Sequence, residues 1–261
     1  MNKFQIIVPT KNSYKILEKL LNSIKGQTYK NWSVILIDGK STKEHTDWLQ
    51  KFCKKDKRFF YKKQIKGNRG IYGAMNQGLN LLEKNSWVLF WGSDDWVIEK
   101  NTFEELNKKL KSISSNNLDL VICKGKYFKL NKTFYKNSFF TDKLKNKKIN
   151  LKTYKKLLFK GLTPPHQTTV FHSSIFSSEY KYDDNFLLAG DLDFFCKLCN
   201  KPKLSIYILD FFIVSMSSGG ISSRNHIRRF SEVKKSYIKL FNKLFFIPFL
   251  NRYLFKIFKL K

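Results

Sequence analysis

Apolar runs FQIIVP, WSVILID, FFYKKQ and WVLFWG are separated by stretches of helical periodicity that begin near Tyr14, Glu44 and Tyr72. This alternation constrains the chain more than any other feature. Parallel strands need long crossovers, and helices of this spacing supply them while covering the sheet faces. The expected fold class is α/β, with a mostly parallel central sheet flanked by helices. In open sheets of this kind ligands bind beyond the carboxyl ends of the strands. The residues there are polar: Pro9 and Thr10, Asp38 and Gly39, Gly67 to Gly70, then Ser93, Asp94 and Asp95.

A helix near Lys100 and the strand LDLVIC follow. Lys- and aromatic-rich sequence from Lys124 to about Lys148 then reads as a hairpin-like elaboration rather than a second domain. Beyond it come a helix near Leu151, the segment TPPHQTTVF, the acidic helix start AGDLDFF and the Gly- and Ser-rich SMSSGGISS, expected to be a mobile loop. From residue 224 the chain is a basic, aromatic-rich tail, with helix expected on either side of an interruption at Pro248. The expected division is one domain over residues 1–223 and a tail over 224–261. No internal repeat is present.

Lys and Arg number 50 against 20 Asp and Glu, a net charge of +30, which predicts attraction to an anionic partner: nucleic acid, a phospholipid surface or a phosphorylated substrate. Charge alone does not choose among them. Cys196 and Cys199 have CxxC spacing inside the apolar run FFCKLCN. With no second such pair to complete a four-ligand zinc site they read as structural. The N-terminus lacks a signal-peptide pattern, and no apolar run reaches the roughly 18 to 20 residues that span a bilayer. A cytoplasmic protein, peripheral at the inner face of the cytoplasmic membrane, is the expectation.

FWGSDDW places two carboxylates side by side at a strand end, where they repel unless a cation or several donors intervene. A turn with Asp95 near a helix cap fits the same residues. The glycines of GNRGIYGAMNQG suit a junction where backbone approaches ligand or sheet closely, but the string is neither GxGxxG nor GxxxxGK[ST], which argues against dinucleotide and P-loop sites.

Taken in order, IIVPTKN, VILIDGKST, GNRGIYGAMNQG, LFWGSDDW, HQTTVF, AGDLDFF and GGISS resemble the family 2 glycosyltransferases of the GT-A fold, over roughly Phe4 to Ser223. The likeness is to the bacterial branch acting in lipopolysaccharide, capsule and exopolysaccharide synthesis. It implies that Pro9, Thr10, Asp38, Arg69 and Asp94 hold the donor nucleotide and that Asp95 binds Mn²⁺ or Mg²⁺. It further implies that Asp191 is the catalytic base, although Gly190 stands where the family commonly has Glu. Asp193, two positions on, is the alternative base. His166, Asp193 and Gly220 are further positions for acceptor or diphosphate contact.

The function implied is inverting transfer of a sugar, UDP-linked by preference, to a hydroxyl of a glycan or lipid-linked acceptor in surface polysaccharide biosynthesis. Lys and Arg alternating with Phe, Leu and Ile in the tail suit an anionic membrane surface, while packing against the protein is the rival reading. Two alternatives stand beside the transferase: a basic nucleic-acid-binding protein and a nucleotidyltransferase. The acidic sheet edge argues against the first, so no nucleic acid is expected as a partner.

Overall fold

A computed structural model describes residues 1–113, 118–129, 133–218 and 225–258. In chain order the first half comprises β1 (Lys3–Thr10), α1 (Tyr14–Lys25), β2 (Trp32–Asp38), α2 (Lys43–Lys54), β3 (Phe59–Lys63), α3 (Gly70–Leu79), β4 (Ser86–Phe90), β5 (Trp96–Val97) and α4 (Thr102–Ser112). The second half adds β6 (Leu120–Phe128), β7 (Phe134–Ser138), β8 (Lys147–Ile149), α5 (Leu151–Phe159), β9 (Thr169–His172), α6 (Gly190–Lys197), β10 (Ile206–Ser217), α7 (His226–Phe241) and α8 (Phe246–Phe258).

Successive strand residues point to opposite faces. Phe4, Ile6 and Val8 of β1, with Trp32, Val34 and Leu36 of β2, enter one apolar layer; Ile7, Ile35 and Ile37 enter the other. Both faces are apolar, so both must be covered. Helices α1, α2 and α4 cover the first, while α3, α5 and α6 cover the second. Helix α1 buries Leu17, Leu20, Leu21 and Ile24 completely. At about 2 kcal/mol for each buried side chain, this outweighs the roughly 1 kcal/mol that a missing N-cap costs. Ser13 makes no cap bond, because its hydroxyl is committed to Thr10 and Ser93 at the sheet edge.

The sheet runs β3-β2-β1-β4-β9-β6-β10-β5. It is parallel from β3 to β4, as the alternating pattern predicts, and again between β6 and β10. The short β9 inserts antiparallel to both β4 and β6. Residues 124–148 do contain a hairpin, β6 with β7, and β8 adds to β10. In the β1/β2 register Thr10 lies opposite Asp38, and β4 ends beside Ile7. The polar ends of β1, β2 and β4 thus meet at one edge.

The tail departs from expectation at its break. Helix α7 ends at Phe241, Asn242 turns with φ 47°, and residues 242–245 form a single 3₁₀ turn before α8. Pro248 does not interrupt a helix. It is the third residue of α8, in the first turn, where a backbone N–H has no intrahelical acceptor to lose. Val233 and Tyr237 of α7 and Phe249 of α8 pack with Ala189, Leu192 and Cys196, and the Arg252 guanidinium donates to the Thr163 hydroxyl. Cys196 is a free thiol in this interior and Cys199 one in the apolar layer on the second sheet face; burial raises both, Cys199 to about 12. Among the described residues no helix is long and apolar enough to cross a membrane.

Candidate active site

The ends of β1 and β2 form the first part of the site. Thr10 Oγ1 lies 2.7 Å from Ser13 Oγ and 3.3 Å from His45 Nε2. Asp38 is buried; its carboxylate accepts from the Ser41 N–H at 3.2 Å and from the Ser41 hydroxyl, with His45 Nε2 3.6 Å away. Burial lowers the His45 imidazole, against the pull of Asp38. Ser13 Oγ donates to Ser93 Oγ at 3.0 Å, and Ser93 Oγ reaches the Pro9 carbonyl at 3.5 Å, so the ends of β1 and β4 are joined by hydroxyls. Arg69 occupies the exposed N-cap of α3. A lone His in KEHTDW carries no signal of its own, which is why the sequence did not single out His45.

Beyond β4, the Asp95 carboxylate folds back to accept the Gly92 N–H at 2.6 Å and is almost fully buried. Asp94 is half-buried, and its carbonyl accepts the Ser217 hydroxyl at 3.0 Å. Burial raises both carboxyls, and the charge of Asp94 raises Asp95 further, well above the ordinary range, against the Gly92 N–H. Two carboxylates held in this way are under electrostatic stress that a bound cation relieves. Among the described residues no group of three or more His, Cys, Asp or Glu side chains stands ready to hold a metal.

The third part comes from α6 and α3. Asp191 Oδ1 accepts the Leu192 N–H at 2.8 Å and lies 3.4 Å from the Tyr72 hydroxyl. Tyr72 reaches this position because Gly190 has no side chain; a Cβ there would meet the ring at 2.7 Å. Burial, then the Asp191 charge, raises the Tyr72 phenol well above its usual value, so it remains a donor. The Tyr72 ring stacks on Tyr182, whose hydroxyl shares a 2.7 Å hydrogen bond with His166 Nε2. Burial pushes His166 down to about 4, opposed by Asp191, so its imidazole is neutral near pH 7. Asn76, in the glycine-rich string, pairs with both backbone groups of Tyr182 at 2.8 and 3.0 Å, and Gly78 lies against Ile7 of the sheet.

Asp193 takes a different place from Asp191. Its Oδ1 pairs with Lys239 Nζ of α7 at 2.8 Å, and the residue is 2% exposed. Gly220 lies outside the described residues. Burial raises the Tyr127 phenol of β6, and the charges of Asp95 and Asp191 raise it further against a hydrogen bond with Ser138.

A mixed α/β sheet of this order, with helices on both faces, is similar to that of the GT-A glycosyltransferases. The model of glycosyl transferase family 2 matches residues 5–180, and the chain belongs to that family. Glycosyltransferase GlyA of Streptococcus pneumoniae is 35% identical over 132 residues, 51% of this chain and only 18% of that protein. The PGL/p-HBAD biosynthesis glycosyltransferase of Mycobacterium bovis is 26% identical over 224 residues, 84% of this chain and 79% of its own length. Among solved structures, S. aureus TarS 1–349 in complex with UDP-GlcNAc superposes with a TM-score of 0.67 at 22% identity, covering 92% of this chain and 67% of that one. The mannosyltransferase PcManGT of Pyrobaculum calidifontis, in complex with GDP-Man and Mn²⁺, gives a TM-score of 0.62 at 15% identity, covering 96% and 68%. Family membership favours the transferase over the nucleotidyltransferase and nucleic-acid-binding alternatives.

Proposed function

We propose that this chain transfers a sugar from a nucleotide-sugar donor, UDP-linked by preference, to a hydroxyl of a glycan or lipid-linked acceptor in surface polysaccharide biosynthesis, with inversion at the anomeric carbon. The observation that carries this reading is the pair of buried and half-buried carboxylates after β4, Asp95 and Asp94, in one chain with a second acid, Asp191, held by the Leu192 N–H and the Tyr72 hydroxyl at the start of α6. In the proposal Pro9, Thr10, Asp38, Arg69 and Asp94 hold the nucleotide. Thr10 and Asp38 are paired across strands and braced by Ser13, Ser41 and His45, which gives the base-binding end a fixed shape. TarS with UDP-GlcNAc supports the choice of UDP.

The stressed pair Asp94 and Asp95 fits a hard divalent cation, Mn²⁺ or Mg²⁺, that takes oxygen ligands, and PcManGT with Mn²⁺ supports it. Such an ion, when bound, neutralises charge on the departing diphosphate. Asp191 accepts the acceptor hydroxyl's proton as that oxygen attacks. Tyr72, held as a neutral donor, orients the carboxylate. General-base assistance is typically worth ~10² to 10⁴ in rate. Asp191→Asn is therefore expected to reduce transfer by that factor with donor affinity nearly unchanged; near-normal turnover would remove Asp191 from the mechanism.

Residues 1–223 form the catalytic domain in this reading and 224–261 the tail. Phe246, Leu250 and Leu254 of α8 recur at helical spacing and are 48%, 53% and 47% exposed. Between residues 225 and 254 the sequence has Arg228, Arg229, Lys234, Lys235, Lys239, Lys243 and Arg252, against a single acid, Glu232. An apolar stripe in so cationic a segment suits an anionic membrane surface, where a lipid-linked acceptor would be met.

A further inference from the structure

We propose that Glu232 of α7 is a positioning residue for the reaction: by fixing the backbone of residues 187–189 it sets the first turn of α6 and hence the place of Asp191. The proposal rests on the reading of Asp191 as the base. Glu232 lies 43 residues beyond Ala189 and outside the family-matched span of residues 5–180.

The Glu232 carboxylate is nearly buried and accepts three consecutive backbone N–H groups: Leu187 at 3.0 Å, Leu188 at 2.8 Å and Ala189 at 2.9 Å. Arg228 Nε adds a fourth donor at 3.0 Å. Burial would raise this carboxyl, but the N–H groups of Leu187 and Leu188, with Arg228 and the Ala189 N–H, hold it below the usual range. Hydrogen bonds to an ionised acceptor are about twice as strong as neutral ones.

The local sequence explains why this segment needs an outside partner. Helix α6 has eight residues and begins after Ala189, which has no side chain able to cap it. A helix this short does not hold its own conformation in water. Gly190 is also left without a side chain, because the Tyr72 ring occupies that space. The backbone leading to Asp191 thus lacks the usual local restraints, and the Glu232 carboxylate replaces them from a different helix. A displacement of about 1 Å at a reacting group costs on the order of 10² in rate.

The test compares wild type, Glu232→Gln, Glu232→Asp, Asp191→Asn and the Glu232→Gln/Asp191→Asn pair. UDP release is followed with whichever of UDP-glucose, UDP-galactose and UDP-GlcNAc the wild type hydrolyses fastest, UDP affinity is measured calorimetrically with Mn²⁺, and amide hydrogen exchange is read along the chain. Glu232→Gln turns one accepting oxygen into a donor that faces backbone N–H groups. The expected result is a kcat loss of about 10- to 100-fold, with KM and UDP affinity within about twofold and faster exchange confined to residues 187–191. Glu232→Asp, which keeps the charge and perturbs folding least, should fall between. The double variant should lose no more than Asp191→Asn alone.

Wild-type kcat in Glu232→Gln beside an inactive Asp191→Asn would overturn only the positioning role. So would a kcat loss matched by weaker UDP binding and faster exchange everywhere, which would mark general destabilisation. Wild-type turnover in Asp191→Asn would overturn the base reading itself.

Discussion

Lys239 Nζ lies 2.8 Å from Oδ1 of Asp193 and 3.2 Å from Oδ2 of Asp183, tying α7 to α6 and to the segment before it. Residues two apart on a helix do not share a face. The two acids of GDLD therefore divide: Asp191 turns toward Tyr72, while Asp193 is covered by α7. Burial acts to lower the Lys239 ammonium, and the two carboxylates overcome it and raise it. This division supports the proposal of Asp191 as the base, since Asp193 is already paired with Lys239 of the tail.

Lys239→Met should strand a buried carboxylate. Removing one partner of a buried pair costs about 3 kcal/mol at the low end, and the low end applies because the Lys239 side chain is 44% exposed. Adding Asp193→Asn should restore most of the loss, since no buried charge is then unpaired. Urea denaturation of the single and double variants checks both; an undiminished midpoint for Lys239→Met would contradict the structural role.

Stability should fall on mild acidification. The folded-state pKa of His166 is depressed to about 4 from 6.5, so between these values the unfolded chain binds a proton that the folded chain does not. Stability is therefore fully present above about pH 6.5 and declines as the pH falls toward 4, by about 3 kcal/mol for this group. His45 and His172, also lowered by burial, act with the same sign. The check is the difference between wild type and His166→Gln in denaturation midpoints from pH 7 to pH 4.5. The variant should show the shallower decline, and parallel curves would contradict the assignment.

The parallel half of the sheet was legible because β1, β2 and β4 carry apolar residues on both faces and end in polar residues that no core would take. The β9 insertion was not: its four residues, TVFH, have no periodicity that tells parallel from antiparallel pairing. Proline disrupts helix interiors, so Pro248 reads as a break, whereas the chain uses it in a first turn and breaks instead at Asn242. At the candidate site, residues just after strands were readable from position alone. His45, Tyr72, Glu232 and Lys239 act through contacts 35 to 119 residues away in sequence, which local patterns do not encode.

Leu250→Glu probes the exposed stripe of α8. Burying one leucine is worth roughly 2 kcal/mol, and a charge beside anionic lipid about 1 kcal/mol, so vesicle partitioning should fall at least tenfold. UDP binding should be unaffected. Sedimentation with phosphatidylglycerol-containing vesicles measures it, and equal partitioning by the variant and wild type would end the membrane proposal.

Calorimetric titration with UDP, GDP, dTDP and CDP, each with Mn²⁺ and with chelator, on wild type and Asp95→Ala, tests the central claim most directly. One nucleotide, expected to be UDP, should bind only with the metal, and Asp95→Ala should lose that binding while retaining the fold. Failure of every nucleotide to bind the folded wild type would contradict the donor site.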